Sequence, residues 1–565
     1  MLGYLKAIEN RLSQDEKQAL KNIYEPRVVL APMNDSRRDV MMMPDGEIRV
    51  YGRTLDLTPC YFSSTDGGVS FKICYPHGAM GPCTYFEEPD LYIAAHCKKI
   101  DEKYHVEIMR SKIGPDDPNP ERMILGAGSC VFNPIKSAFS NRIWVTYQTG
   151  EHAATAAFAY SDDWGETWKV STTKQTAQHE IVYPHKGIRW SVGNGTEPYA
   201  VELSENKMMM IIRNSTDQFY QSFSYDRGET WSDPEPSQFY GSNTTAFLLR
   251  LCDGRTLTFW NNTKPLPEFN HDVYFGGKEV GLGIMEDAFT NRDAAHAAIT
   301  DDEGNTFKGY REIFLNPVRN NNDFRYIGGR THSNDKSVHQ FQAFELPFNK
   351  ILVSAGQNLS SCRMLIFDID WLLENSREET FIMGLGGVST QVYVKSLLSH
   401  TPDNGHCALN RTNGAILMPS PDRAPYDVLY VSKRSDERLI SEVQGVTFNF
   451  PVSKQGEVTT GVFMVEKDIR ISLCDRWFNP CDNYIPQSAN FFFELNKADI
   501  GEGFKEIKIK YDTEKGFGEV YVENKFMFNL KMTAPCPTGV SYIVIQCATD
   551  GESKGFYINK IKKEC

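Results

Sequence analysis

The chain has 565 residues, 41% hydrophobic and 12% aromatic, and its 73 acidic side chains outnumber its 60 basic ones, for a formal net charge of −13. This negative balance argues against nucleic acid or an anionic lipid surface as the main partner, although a local basic pocket can still hold an anionic ligand. No apolar run approaches the ~20 residues that span a bilayer. Frequent Tyr, Phe, Thr and Val without heptad patterns favour an all-β protein.

The N-terminal stretch, residues 1–25, is predicted to be a short helical lead. It is not read as a signal peptide, because it has neither an apolar central region nor a cleavage site. The 13 cysteines are odd in number and contain no Cys-x-x-Cys pair, which favours free thiols in a reducing compartment. We therefore expect a cytoplasmic protein, although a secreted protein trimmed of its signal would look the same.

A repeated turn motif dominates the next part of the chain. The pattern Ser/Thr-x-Asp-x-Gly-x-Ser/Thr-aromatic follows short β-like runs. We expect the Asp to cap the turn, the Gly to take a positive φ and the aromatic ring to anchor a hairpin. One such motif is typical of any β-hairpin, but four at spacings of 97, 63 and 76 residues indicate repeated four-stranded units. The four copies are STDGGVSF (64–71), SDDWGETW (161–168), SYDRGETW (224–231) and TDDEGNTF (300–307).

These four motifs resemble the Asp-box of the sialidase superfamily, and the stretch 26–390 is similar to the propeller of that family. The resemblance implies a six-bladed β-propeller in which the Asp-boxes are structural and do not touch substrate. Two blades would lack the box. One of them would run from CTYFEEPDLYIAAHCKK to YHVEIMRSK, and the sixth from VHQFQAFELPFNKILVSAGQ to RMLIFDIDWL.

The sequence pattern changes towards the C-terminus. Residues 400–565 contain alternating runs such as EVTTGVFMVEK and GEVYVENKFMFNLKM, turn signals such as KGFG, and no Asp-box. We predict a separate β-sandwich of concanavalin type. Two roles stay open for it: carbohydrate binding, or a purely structural packing on the propeller.

The sialidase resemblance implies a defined set of catalytic parts. Three arginines hold the carboxylate of a 2-keto acid sugar, because a planar guanidinium pairs with it bidentately. A Tyr attacks the anomeric carbon and is activated by a Glu, while an Asp on a loop is the acid/base for the leaving oxygen.

The first parts fall before the first Asp-box. Arg37 or Arg38 takes the place of the first arginine in SRRDVMMMPDGEIRVYGRT, where the family's Ile-Pro element is absent; the alternative is a solvated arginine pair. Arg53 takes the place of the arginine at the end of the next strand. Asp56, three residues later, is predicted to be the acid/base, and its alternative role is that of a turn residue.

The segment that most resembles the sialidase family is the one similar to its fourth blade, NGTEPYAVELSENKMMMIIRNSTDQFYQSFSYDRGETWS. Glu197 opens one strand and is predicted to be the base. Arg213 closes the next strand and is predicted to be the second carboxylate ligand; an exposed strand end is the alternative. We expect Arg213→Ala to abolish activity and to leave thermal unfolding nearly unchanged. Arg292, eight residues before Thr300, is in the place of the third arginine.

The nucleophile is the least defined part. Tyr326 in DFRYIGGRTHSND lies 34 residues after Arg292 and is the preferred candidate. His339 stands where the sixth blade would present a Tyr, and it is the alternative residue lining the pocket.

The sequence therefore predicts an exo-glycosidase that releases terminal α-linked sialic acid with retention. One alternative is a hydrolase of another 2-keto-3-deoxy acid sugar, of the Kdo or KDN type; another is a non-catalytic propeller that binds acidic sugars. The histidines are scattered, and metal and nucleotide motifs do not occur in a fitting context, so neither a cofactor nor a metal is expected. The expected partner is a sugar or glycoconjugate, with no nucleic acid and no membrane span.

Overall fold

The chain is nearly all β. The computed structural model describes residues 3–31, 39–54, 56, 58–76, 78–149, 155–176, 196–214, 216, 218–241, 244–264, 292–316, 337–356, 361–393, 411–433, 435–436, 439, 441–466, 468–547 and 553–564. The expectation of an all-β chain is confirmed. None of the helices in these ranges is long and apolar enough to cross a membrane.

Two helices form the N-terminal lead, α1 (Gly3–Arg11) and α2 (Gln14–Lys21). Ser13 begins α2 with a capping box. Its hydroxyl accepts the Glu16 N–H, and the Glu16 carboxylate accepts the Ser13 N–H at 2.8 Å, so two N–H groups that the helix leaves unsatisfied are bonded.

Within the described ranges, the strands up to residue 368 form six four-stranded antiparallel sheets. Sheets 1 to 5 are consecutive meanders. Sheet 6 takes three strands from the end of this region and its fourth from β1 (Arg27–Leu30), which pairs with the last of those three strands. Sheet 1 contains β2 (Val40–Met42), β3 (Ile48–Arg53), β4 (Pro59–Ser64) and β5 (Lys72–Cys74). Sheet 2 contains β6 (Thr84–Phe86), β7 (Leu91–Ile100), β8 (Lys103–Ser111) and β9 (Glu121–Ala127). Sheet 3 contains β10 (Ile135–Lys136), β11 (Ile143–Thr149), β12 (Thr155–Ser161) and β13 (Lys169–Thr172). Sheet 4 contains β14 (Thr196–Ser204), β15 (Lys207–Arg213), β16 (Gln218–Ser224) and β17 (Glu235–Tyr240). Sheet 5 contains β18 (Phe247–Arg250), β19 (Thr256–Trp260), β20 (Ala294–Thr300) and β21 (Lys308–Leu315), and sheet 6 adds β22 (Gln342–Leu346), β23 (Lys350–Ala355) and β24 (Arg363–Asp368).

Hydrophobic clusters fill the space between successive sheets. Separate clusters join sheets 1 and 2, 2 and 3, and 3 and 4, and one large cluster spans sheets 4 to 6. A further cluster joins sheet 6 back to sheet 1, where Ile366 and Leu352 pack with Ile48. The Val40 N–H also donates to the Gln342 Oε1 at 2.9 Å, so the first strands of these two sheets meet directly. Each sheet thus packs on the next, and the last packs on the first.

The region after α3 (Ile369–Leu372) is built differently. Its elements are β25 (Arg377–Glu379), β26 (Gln391–Tyr393), β27 (Arg411–Asn413), β28 (Ile416–Pro419), β29 (Asp427–Lys433), β30 (Gln444–Ser453), β31 (Gln455–Met464), β32 (Asp468–Cys474), α4 (Ile485–Ser488), β33 (Phe491–Asn496), α5 (Lys497–Ile500), β34 (Phe504–Asp512), β35 (Phe517–Val522), β36 (Lys525–Lys531), β37 (Val540–Cys547) and β38 (Ser553–Glu564).

These strands form two larger sheets and one two-stranded pair. The larger sheet contains β28, β29, β38, β31, β34, β35 and β36, with β25 paired to β38. The smaller sheet contains β30, β37, β32 and β33, and β26 pairs with β27. The two sheets share one hydrophobic core. Strand β25 already belongs to this region although it lies upstream of residue 400.

Candidate active site

The four Asp-boxes have the predicted turn geometry, which the box around Asp163 illustrates. Its Oδ1 accepts the Ser161 hydroxyl at 2.7 Å and the Thr167 N–H at 2.9 Å, and its Oδ2 accepts the Thr167 hydroxyl at 2.6 Å. Gly165 has φ +82, which a residue with a Cβ rarely adopts. The pattern recurs around Asp66, Asp226 and Asp302.

All four boxes connect the third strand of a sheet to its fourth. In an antiparallel meander, the turn between the first and second strands lies at the same edge as the turn between the third and fourth. We call this the Asp-box edge. Turns of neighbouring sheets are bonded to one another there: Arg250 donates to the Leu203 carbonyl at 2.9 Å, and the Cys252 N–H donates to Glu345 at 2.7 Å. The N-terminal helices lie at this edge of sheet 1, with Leu12 and Leu20 beside Gly67.

Those predicted site residues that the structure describes fall at the opposite edge, which we call the site edge. This edge carries the start of each first strand, the end of each second strand and the start of each third strand. Glu197 lies at the start of β14 and Arg213 at the end of β15, and Arg292 comes two residues before β20. Asp56 follows the end of β3.

The central pair of the site is Glu197 and Arg213. An Arg213 guanidinium nitrogen forms a salt bridge with Glu197 Oε2, and the side chain of Arg213 is only 7% exposed and that of Glu197 only 8%. The two residues are therefore in contact, as their predicted places on neighbouring strands required. Because a guanidinium carries five N–H donors, Arg213 is able to hold Glu197 and a ligand carboxylate at once.

A distortion of β14 places Glu197 in this position. The pairing of β14 with β15 shifts register between Thr196 and Tyr199, and Glu197 has φ +47, an unusual backbone conformation for a residue with a side chain. Backbone strain of this kind persists where the surroundings enforce it, and it concentrates at functional sites. An ideal strand would alternate its side chains, so the bulge re-aims the carboxylate towards Arg213.

Arg292 and His339 form a second pair. Both are buried, at 0% and 1% exposure, and an Arg292 nitrogen lies 3.5 Å from His339 Nε2. The Val338 N–H also donates to the Arg292 carbonyl at 2.9 Å. These contacts join the third-strand entrance of sheet 5 to the first-strand entrance of sheet 6. Burying a guanidinium is costly unless the group is paired or hydrogen-bonded, so polar partners are expected around Arg292 at this strand entrance.

Arg53 is the exposed last residue of β3, and Asp56 is an exposed turn residue that follows it. The Thr54 hydroxyl donates to Asp56 Oδ1. This hydrogen bond, with further ones from Thr58, lowers the pKa of Asp56. In this state the Asp56 carboxyl favours its ionised form, whereas a general acid acts in its protonated form.

Three of the predicted residues, Arg37, Arg38 and Tyr326, lie outside the described residues. Their assignments stay predictions. The choice between Arg37 and Arg38, and between Tyr326 and another nucleophile, is unchanged by the structure.

Sequence reasoning missed a polar cluster next to Arg292. The Asp293 carboxylate is fully buried and accepts from the Asn316 amide at 3.3 Å and from the Gln391 amide at 3.4 Å. Gln391 lies in β26, nearly one hundred residues further along the chain. The only signal in the sequence was an acidic residue directly after the predicted arginine, which by itself indicates a turn or a surface as readily as a site.

A second buried network was also missed. Burial lowers the pKa of His296 to about 3, so its ring is neutral. Its Nδ1 accepts the Asn262 N–H at 3.0 Å, which leaves Nε2 to donate to the Tyr542 hydroxyl, and that hydroxyl donates to Glu312 at 2.8 Å. Within the described residues, no group of three or more His, Cys, Asp or Glu side chains is arranged to hold a metal ion.

Comparison with known proteins gives one family. Residues 118–326 match the family described as a BNR repeat-like domain, a range that includes three of the four Asp-boxes. The search of curated proteins gives no match.

Several solved structures are similar to the chain at low identity. A protein of unknown function from Dyadobacter fermentans is 16% identical with a TM-score of 0.38, covering 61% of this chain and 97% of that one. Trypanosoma rangeli sialidase in complex with 2,3-difluorosialic acid is 10% identical with a TM-score of 0.34, covering 96% and 94%. The NanB sialidase from Streptococcus pneumoniae is 12% identical with a TM-score of 0.36, covering 64% and 73%. Likenesses at this level assign no activity to the chain.

Proposed function

We propose that this chain, a member of the sialidase/BNR-repeat superfamily, is an exo-acting glycoside hydrolase that releases a terminal α-linked sialic acid or related nonulosonic acid with retention. The observation that carries the proposal is the buried Glu197–Arg213 ion pair at the site edge. A protein that only binds an anionic sugar needs the arginine, but it has no need of a buried carboxylate beside it.

The architecture we propose is a six-bladed β-propeller followed by a concanavalin-like sandwich. Support for the propeller comes from the six four-stranded sheets and from the clusters that pack each sheet on the next and sheet 6 on sheet 1. Support for the sandwich comes from the two C-terminal sheets around a shared core. In such a propeller the site edges of all six blades face one pocket.

The proposed chemistry divides binding from proton transfer. Arg213 and Arg292, with Arg37 or Arg38, bind the sugar carboxylate, and each contact contributes about 1.5–3 kcal/mol as a hydrogen bond to a charged group. Glu197 takes the proton of the nucleophile, which we propose to be the Tyr326 hydroxyl, as that oxygen attacks the anomeric carbon. Asp56 gives a proton to the leaving oxygen. In the second step Asp56 takes a proton from the attacking water, the bond between the anomeric carbon and the tyrosine oxygen breaks, and Glu197 returns its proton to that oxygen.

Asp56 must gain a proton before it can act in this way. The substrate carboxylate provides a reason: a nearby negative charge favours the neutral form of a carboxyl group. Binding of an anionic sugar is therefore expected to raise the pKa of Asp56 from its lowered value in the free protein.

The test is turnover of fluorogenic glycosides of sialic acid, KDN and Kdo by wild type and two variants. We expect Glu197→Gln to lower kcat by about 10²–10⁴, the usual contribution of a general base. The matched control is Glu202→Gln, because Glu202 is an equally buried glutamate on the same strand that instead bonds Ser137 at the Asp-box edge. Its kcat should stay within about twofold of wild type.

Each possible result of this panel leads to a different conclusion. Turnover of KDN or Kdo glycosides in preference to sialosides assigns the second substrate class to the same residues. Binding of the sugars without turnover favours a non-catalytic propeller and refutes the enzyme. Equal loss in both glutamate variants removes the special role of Glu197.

A further inference from the structure

The segment that begins with Arg292 packs against the C-terminal unit, which we define as residues 377–564. Of the four residues that follow Arg292, three contact this unit: Asp293, Ala294 and His296. Asp293 is bonded by the Gln391 amide, and Gln391 is itself fully buried.

The second contact is apolar. Ala294 belongs to a buried cluster whose other members come from the C-terminal unit, among them Trp477 and Tyr542. The backbone of Trp477 also pairs with the segment that follows β19. Its backbone N–H donates to the Asn262 carbonyl at 2.8 Å, and its backbone carbonyl accepts the Lys264 N–H at 2.9 Å. The entrance of β20 and the exit of β19 are thus both packed against the C-terminal unit.

The segment that carries Gln391 is anchored on its own side. Ser389 exchanges two backbone hydrogen bonds with Thr447 of β30, and its hydroxyl accepts the Trp477 indole N–H at 3.2 Å. Gln391 therefore reaches Asp293 from a rigid support. A buried carboxylate held by two amides helps to fix the backbone of Arg292, because displacing it would break these hydrogen bonds to a buried charge.

We infer that the C-terminal unit completes the carboxylate subsite, with Gln391 acting through Asp293 as a positioning residue for Arg292. This inference rests on the proposed function. It assigns the unit a role in substrate affinity that an independent carbohydrate-binding module would not have. The mechanism is orientation: a guanidinium binds a carboxylate bidentately only when both groups are held in one plane at a fixed distance.

The test is steady-state kinetics of full-length variants with the best fluorogenic substrate of the panel, together with thermal unfolding. Gln391→Met keeps the length of the side chain and removes the amide donor to Asp293. We expect KM to rise about tenfold while kcat stays within about twofold, as for a loss of binding shared by ground and transition states. Gln444→Met is the matched control, because Gln444 is an equally buried glutamine of the same unit whose Oε1, like that of Gln391, accepts no hydrogen bond from the described residues, whereas the contact with Asp293 is made by Gln391.

A charge rearrangement tests the contact from both sides. Gln391→Glu places a second carboxylate against Asp293 and is expected to raise KM further. Combining it with Asp293→Asn restores one amide–carboxylate bond with the same net charge, because the introduced amide nitrogen faces the introduced carboxylate while the amide oxygen still accepts from Asn316. We expect this double variant to recover most of the wild-type KM, and it keeps the proposal refutable even if Gln391→Met does not fold.

Different results would overturn the inference about Gln391 and the proposed hydrolase function. Wild-type turnover with an unchanged KM in Gln391→Met, or no recovery in a folded double variant, overturns the inference and leaves the hydrolase in place. Equal changes in KM for Gln391→Met and Gln444→Met would show general loosening and would also overturn it. A wild-type protein that neither binds nor cleaves any sugar of the panel refutes the proposed function, and the inference falls with it.

Discussion

The Asp-box turns and the candidate site residues are held by contacts of very different range. Within each Asp-box, the side chain of the Asp is satisfied by groups two to four residues away, as around Asp163. At the site edge, Glu197 meets a partner 16 residues away and Arg292 one 47 residues away. The Asp-box turns are therefore repetitive and locally satisfied, whereas the site residues depend on how separate strands and sheets are aligned. We expect stability to be sensitive at both edges, and activity at the site edge alone.

The largest effect is expected from Arg213→Ala. Activity should be lost, because the substitution removes a proposed ligand of the sugar carboxylate. The structure revises the sequence-based expectation that thermal unfolding would hardly change: the substitution leaves the buried Glu197 without this guanidinium, and removing one partner of a buried ion pair costs about 3–5 kcal/mol. Chemical denaturation and turnover measure the two effects.

The matched variant is the double substitution Glu197→Gln with Arg213→Met, which removes both charges. It should recover much of the stability but none of the activity. An unchanged unfolding free energy in Arg213→Ala would show that the ion pair contributes little in solution.

A smaller effect is expected at the other edge from Asp163→Ala. The turn loses three hydrogen bonds, so the free energy of unfolding should fall by about 1–3 kcal/mol. The folded variant should keep wild-type kcat and KM. Asp233→Ala is a suitable control, because the Asp233–Lys174 pair is exposed and such pairs stabilise little. A specific change in KM for Asp163→Ala would contradict a purely structural Asp-box edge.

The smallest effect is expected from Thr54→Val, and it is measured as the pH dependence of kcat/KM. The Thr54 hydroxyl stabilises the ionised form of Asp56 and lowers its pKa. Removing it raises that pKa, so a general acid stays protonated to higher pH, and the alkaline limb of kcat/KM should move upward. Thr54→Ser keeps the hydroxyl and should leave the limb in place. A limb that moves downward, or moves equally in Thr54→Ser, would argue against Asp56 as the acid.

The sequence predicted much of the fold because the signals were local and repeated. The four Asp-boxes, the box-free unit after the first of them and the β texture of the C-terminal region all follow from short patterns, and each is found as strands in the described ranges. Strand β1 completing sheet 6 was not predicted, because Arg27–Leu30 is a short run with no partner nearby in sequence. Strand β25 was missed for the same reason, since its partner is the C-terminal strand β38.

Some contacts of the candidate site could be predicted from the sequence and others could not. Glu197 and Arg213 stood out because charges at the ends of an apolar hairpin need a purpose, and their contact follows from the antiparallel pairing. The link between Arg292 and His339 was not predicted, since it requires two different sheets to be packed together. The cytoplasmic location and the catalytic or binding roles of all the predicted site residues, Arg37, Arg38 and Tyr326 among them, stay predictions.

The sequence by itself determined the turns, the repeated units and the strand ends at which charged residues stand, because turn capping and strand alternation act over a few residues. Tertiary structure decided the rest: the bulge that aims Glu197 at Arg213, the packing of sheet 5 on sheet 6, and the reach of Gln391 to Asp293. Those contacts join parts of the chain far apart in sequence. They form only when the packing of whole sheets offsets the entropy of closing the long segments between them.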